Sequence, residues 1–126
     1  MRILAAIFLL LSASGHAAQG WISVEPNHLN LVYNAGESAE FFVRVLHEPT
    51  NPEYKLEVSV EHVGQVPASP LLLTEGVGSY VTPALPSGNS EFRFVARLVG
   101  PVDPENPLDP PFSQVVQDQV LEVRAF

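Results

Sequence analysis

The chain has 126 residues, 6 basic against 14 acidic side chains, a formal charge of −8 and no cysteine. Such acidity excludes nucleic-acid binding by phosphate neutralisation and sets the chain against anionic lipid surfaces. Without cysteine there is no disulfide, thiolate metal site or thiol nucleophile, so any core must hold by packing alone.

The opening "MRILAAIFLLLSASGHAAQG" carries Arg2, a short apolar run and then small residues. That is the layout of a secretory signal peptide. The run is about half the ~20 residues that a membrane-spanning helix needs. Cleavage after Gly15, Ala17 or Ala18 satisfies the small-residue rule to different degrees. The expectation is a cleavable signal peptide over 1–17 and one domain over 18–126, with no membrane insertion after cleavage. Removing Arg2 leaves 5 basic against 14 acidic residues, a charge of −9. A disulfide-free exported domain fits a bacterial periplasm or exterior better than an animal secretory pathway.

From Trp21 onward the pattern is that of strands. "WISVE" and "HLNLVY" are short strand candidates, and "NAGES" is a tight turn in which Gly36 can take positive φ. "SAEFFVRVL" alternates Ala39, Phe41, Val43 and Val45 with Glu40 and Arg44, one face buried and one wet. After the two-proline loop "EPTNPE", "EYKLEVSVEH" alternates Tyr54, Leu56, Val58 and Val60 with Lys55, Glu57, Ser59 and Glu61. "VPASP" breaks the chain before two weaker strands, "LLLTE" and "GSYVT". "LPSGNS" leads into "EFRFVARLV", with Phe92, Phe94, Ala96 and Leu98 inward and Arg93 and Arg97 outward. "QVLEVRAF" closes the chain with Leu121, Val123 and Ala125 inward. At helical spacing the same segments would scatter charge around the whole surface. Seven or eight short strands with turn residues between them predict an all-β fold, a two-sheet sandwich or small barrel. An outer-membrane barrel is excluded, because the face opposite the core is charged at Lys55, Glu57, Arg93, Arg97 and Glu122.

The stretch "ISVEPNHLNLVYNAGESAEFFVRV" resembles the opening of bacterial immunoglobulin-like and fibronectin-III-like modules. There a first strand meets a proline and bends, and a second piece (Leu29 and Leu31 here) leads to a glycine turn and the first central strand. "LPSGNSEFRFVARL" is similar to their passage into a later central strand. The family's cysteines are absent, and Trp21 does not match its inter-sheet tryptophan. The resemblance implies a disulfide-free, immunoglobulin-like Greek-key sandwich of 7–8 strands with binding, adhesion or spacing roles and no catalytic residues.

Residues 100–112, "GPVDPENPLDPPF", join the last two strands. Asp103, Glu105, Asn106 and Asp109 offer hard oxygen ligands of the kind calcium takes. Five prolines hold this stretch extended, which spreads successive side chains apart instead of wrapping them around one ion. A stiff solvated strut is one reading, and a preorganised recognition loop is another. The histidines His16, His28, His47 and His62 show no paired spacing for a metal. Cleavage after Gly15 would make His16 the N-terminus, similar to small periplasmic copper-binding β-barrels, though their methionine- or histidine-rich motifs are missing. Glu57 and Glu61 stand about 13 Å apart on an extended strand, too far for a glycosidase pair. No nucleophile and base are spaced for catalysis, so the expectation is no enzyme and no cofactor. Trp21, Tyr33 and Tyr80 could present a sugar platform, or else pack over the rim of the core.

The function expected is an exported, non-enzymatic interaction module that contacts protein or glycan through end loops or an edge strand. "HLNLVY" and "LLLTE" are the expected free edges. The alternative is a small periplasmic metal- or ligand-binding carrier, using calcium at 103–109 or copper at an N-terminal His.

Overall fold

A computed structural model describes residues 20–65, 67–102, 104–108 and 111–126. The expected signal peptide and the position of His16 lie outside the described residues. The chain forms eight strands: β1 (Ile22–Pro26), β2 (Val32–Tyr33), β3 (Glu40–Val45), β4 (Lys55–His62), β5 (Ser69–Pro70), β6 (Val77–Val81), β7 (Gly88–Val99) and β8 (Ser113–Ala125). There is no helix among the described residues, and hence none long and apolar enough to cross a membrane. Three strands make one sheet in the order β1-β3-β6, and five make the other in the order β2-β8-β7-β4-β5. All neighbours run antiparallel except β2 and β8, which are parallel.

The period-two pattern sorts side chains as the sequence implies. Phe41 and Val43 of β3, Val58 and Val60 of β4, Phe92, Phe94 and Ala96 of β7, and Val123 and Ala125 of β8 are all buried. The sheets meet at Phe41, whose ring lies 5.6 Å from Phe92 and 5.2 Å from Phe94, the second contact edge-on. An edge-on pair sets the positive rim of one ring against the negative face of the other, adding to the apolar area each ring removes from water. His62 ends the inward row of β4. It is buried and stacks on Phe92 at 4.4 Å, so an imidazole fills the last position of an apolar face.

Two connections carry the chain between sheets. After β1 it leaves the small sheet at Pro26 and reaches the large one at β2. Leu31 there has φ 60, a left-handed conformation that side chains with a Cβ avoid. The kink is held by hydrogen bonds: Leu31 N donates to His28 O, and Arg124 N donates to Leu31 O. Asn27 Oδ1 accepts from both the Tyr33 hydroxyl and Glu40 N. The second passage is "LLLTE", expected as a strand. It is an irregular crossing instead. Leu71 N still bonds to Val58 O, but Thr74 and Val77 then close a two-residue hairpin turn. Glu75 at φ 53 and Gly76 at φ 79 supply the two consecutive positive φ values that such a turn demands. The expected strand yields because the chain must change sheets there.

The 100–112 stretch does join β7 to β8. Its base is clamped by Gly100 N donating to Phe112 O and by the Tyr54 ring stacked 5.2 Å from Phe112. A Cβ on Gly100 would come within 2.7 Å of the Tyr54 ring, so glycine is required there.

Replacing Phe41 by Ala removes the ring on which both sheets close. The expected loss is about 3–5 kcal/mol of unfolding free energy, read from urea denaturation, which leaves the chain marginal or unfolded.

Candidate functional site

A strand at the margin of a sheet exposes a row of backbone N–H and C=O groups, which another chain can pair with unless they are covered. Two open sheets have four margins, and the chain disposes of them differently.

At β1, the Ile22 carbonyl accepts from Gln117 Nε2 at 3.1 Å, while Ile22 N and Trp21 N both donate to Gln117 Oε1 at 2.9 and 2.7 Å. One carboxamide from β8 thus imitates a neighbouring strand and ties the two sheets together. Pro26, at the far end of β1, has no N–H to offer. At β2, Val32 N donates to Asn30 Oδ1 at 3.1 Å, and the His28 ring nitrogen Nδ1 donates to Val32 O at 3.0 Å. The His28 ring lies flat on Tyr33 at 4.4 Å. "HLNLVY" is therefore an edge, as expected, but its outward groups are capped by its own side chains. β5 is two residues long and ends in Pro70. At β6, both backbone groups of Val77 go to Thr74. The Leu72 carbonyl crowds Gly78, where a Cβ would meet it at 2.6 Å. Only Ser79 and Val81 remain outward on that margin.

Besides those four margins, the short edge strands leave parts of their neighbours uncovered: β5 pairs with β4 only at Ser59 and Val60, and β2 leaves a longer stretch of β8 open. β8 pairs with β7 over its whole length but with β2 only at Arg124 and Ala125. Arg124 N and Phe126 N donate to Leu31 O and Tyr33 O, so the even-numbered residues point their N–H groups away from β7. By the alternation of an antiparallel ladder the same holds for Glu122, Val120 and Asp118. Among the described residues none of these three has a backbone partner on that side. The open window is bounded by β2 above and by the Gln117 clasp below. Its outer face carries Asp118, Val120 and Glu122, all exposed, while Gln119 and Leu121 turn inward and are half-buried. A bulge opposite Ala96 and Arg97 breaks the β8 phase just before this window.

Behind the window the outer face is a charge ladder. Arg93 on β7 lies with Nη1 3.3 Å from Glu61 Oε1 and with Nε 3.4 Å from Asp118 Oδ1. The first contact is a hydrogen bond; Nε makes none, so its pairing with Asp118 is Coulombic only. Glu57, its sequence-paired neighbour, stays on the wet face.

The other residues singled out from the sequence are dispersed. Trp21 is half-buried, with His47 edge-on at 4.3 Å. Tyr33 is buried and bonded to Asn27, and Tyr80 packs on Phe92 at 6.1 Å. The three aromatics thus contact different neighbours. Glu105 and Asn106 are exposed in the 100–112 connection, and Asp103 and Asp109 lie outside the described residues. Among the described residues no three His, Asp or Glu side chains gather as metal ligands do. Sequence reading missed Gln117 and the β8 window. The available signal was polar Gln117 and Gln119 at positions in phase with Leu121 and Val123, which marks an inward face that runs out to a margin.

No protein-family model matches the chain, and neither does any curated protein or any solved structure.

Gln117→Ala should cost about 1–3 kcal/mol, read by denaturation, because it leaves two N–H groups and a carbonyl of β1 without partners. Burial pushes the phenols of Tyr33 and Tyr80 above their ordinary value of 10.0, with nearby Glu37 adding to the shift at Tyr33 against an opposing backbone hydrogen bond at His28. A folded pKa above the unfolded one means stability is complete below pH 10 and falls as pH rises through the folded values. Melting temperature should therefore drop above about pH 10, and the Tyr33→Phe/Tyr80→Phe pair should flatten that alkaline limb.

Proposed function

We propose that the chain is an exported, non-enzymatic interaction module of the bacterial cell envelope with an immunoglobulin-like Greek-key sandwich, and that it binds by accepting an extended segment at a sheet edge. The export part of this reading rests on the signal-like opening "MRILAAIFLLLSASGHAAQG" and the disulfide-free composition. The immunoglobulin-like part is supported by the strand order. The first strand is divided, with β1 on the small sheet beside β3 and β2 parallel to β8 on the large one. Further support comes from the interior positions of β3, between β1 and β6, and of β7, between β8 and β4.

The observation that carries the binding mode is the β8 margin. Gln117 caps β1 at Ile22 and leaves only Val24 with an outward N–H there, β2 is capped by its own side chains, β5 covers β4 at Ser59 and Val60, and β6 leaves only Ser79 and Val81 outward. A five-residue window from Asp118 to Glu122 is left without a strand. Strand addition needs only backbone groups for affinity, with side-chain pockets at alternate positions for choice of partner.

Amide hydrogen exchange tests this. The amides of Val120 and Glu122 should exchange at near-solvent rates, while those of Gln119 and Leu121, bonded to β7, are slower by about a hundredfold or more. Slow exchange at all four positions in the monomer would mean the margin is already covered, and strand acceptance there would be wrong.

A further inference from the structure

The β8 window has a charge arrangement that specifies its occupant. Glu122 stands directly opposite Glu91 in the β7–β8 register, and both side chains are exposed. Like charges in opposite cross-strand positions repel. The nearby cations are engaged elsewhere: Arg93 lies between Glu61 and Asp118, and Arg124 Nε donates to Asn89 Oδ1 at 3.2 Å. Among the described residues neither Glu91 nor Glu122 has an ion-pair partner. A strand laid along β8 would put one outward side chain beside Glu122, next to both carboxylates, and another beside Asp118. Its residue beside Val120, which is 44% exposed, would meet an apolar surface. Its two inward residues, beside Gln119 and Leu121, would reach the half-buried apolar rim.

Resting on the strand-accepting reading above, we propose that the β8 window takes an extended cationic segment. Its pattern is basic–apolar–neutral–apolar–basic, with a basic side chain beside Glu122. The segment covers five residues, about 17 Å of strand at the usual rise.

A second copy of the chain is the other occupant an open edge invites, and the same charges oppose it. Two β8 edges can use all three outward positions only in the two-fold register centred on Val120. That register sets Asp118 of each copy against Glu122 of the other, twice. Sliding the register to bring Asp118 against Arg124 is blocked, because Arg124 is already paired with β2. The overall charge of −8 adds long-range repulsion between copies and attraction for a basic segment.

The test uses capped synthetic peptides containing Lys-Val-Thr-Val-Lys or Glu-Val-Thr-Val-Glu. Both are palindromic, so strand direction does not matter. Nitrogen-15 spectra of the protein are followed during titration. The lysine peptide should shift the Val120 and Glu122 amides, slow their exchange, and bind about tenfold or more tightly than the glutamate peptide, an advantage that added salt shrinks. Glu122→Lys, an exposed change that leaves the ladder intact, pairs position 122 with Glu91 and should shrink the lysine peptide's advantage to about twofold or less. Val120→Pro removes an outward N–H without touching a bond to β7, and it should abolish binding of both. Equal binding of the two peptides overturns the cationic occupant and leaves strand acceptance standing. Failure of both to bind, with the four amides exchanging as predicted above, overturns the proposed occupant alone. Sedimentation showing a dimer that Val120→Pro dissolves overturns it in favour of self-pairing.

Discussion

A backbone amide without a partner is costly when buried and adhesive when exposed, and this chain has no closed barrel or disulfide to remove the problem. Two open sheets must end somewhere. The fold is organised around where they end. Gln117 sits at the centre of the solution: its carboxamide serves two N–H groups and one carbonyl of β1 and couples that strand to β8. A second polar tie, Asn27 Oδ1 accepting from the Tyr33 hydroxyl and from Glu40 N, joins the sheets at the other end of β1.

The core and the margins are linked by the same alternation. Phe41 faces Phe92 and Phe94 because odd residues of β3 and even residues of β7 point inward, and the even residues of β8 point outward for the same reason. A one-residue slip would send the phenylalanines to water and the arginines inward, so register is held by burial on one face. That constraint also fixes which carboxylates line the open window. Asp118 and Glu122 lie on the wet side because Leu121 and Val123 cannot.

Much of this was legible in the residues. The inward rows of β3, β4, β7 and the end of β8 follow the apolar alternation, since burial of one face is a local pattern that a strand displays by itself. Gly36 as a turn residue, and 100–112 as the crossing between the last two strands, were equally readable from φ-restricted residue types. "LLLTE" was not. Its leucines mark a buried or half-buried segment, but whether that segment runs as a strand depends on its having to leave one sheet for the other. Leu31 in a left-handed conformation was likewise hidden, because leucine adopts it only under compulsion from the hydrogen bonds on both sides.

The sequence by itself determined an all-β chain with a disulfide-free apolar interior, and it determined which face of each long strand is wet. Only the tertiary structure decided which strand ends have neighbours. Pairing between strands far apart in sequence is set by the geometry of closing two sheets on one core, and local periodicity carries no record of it. Thus "HLNLVY", an edge from its composition, proves to be capped by His28 and Asn30. The margin left open belongs to β8, whose residues read simply as one more half-buried strand.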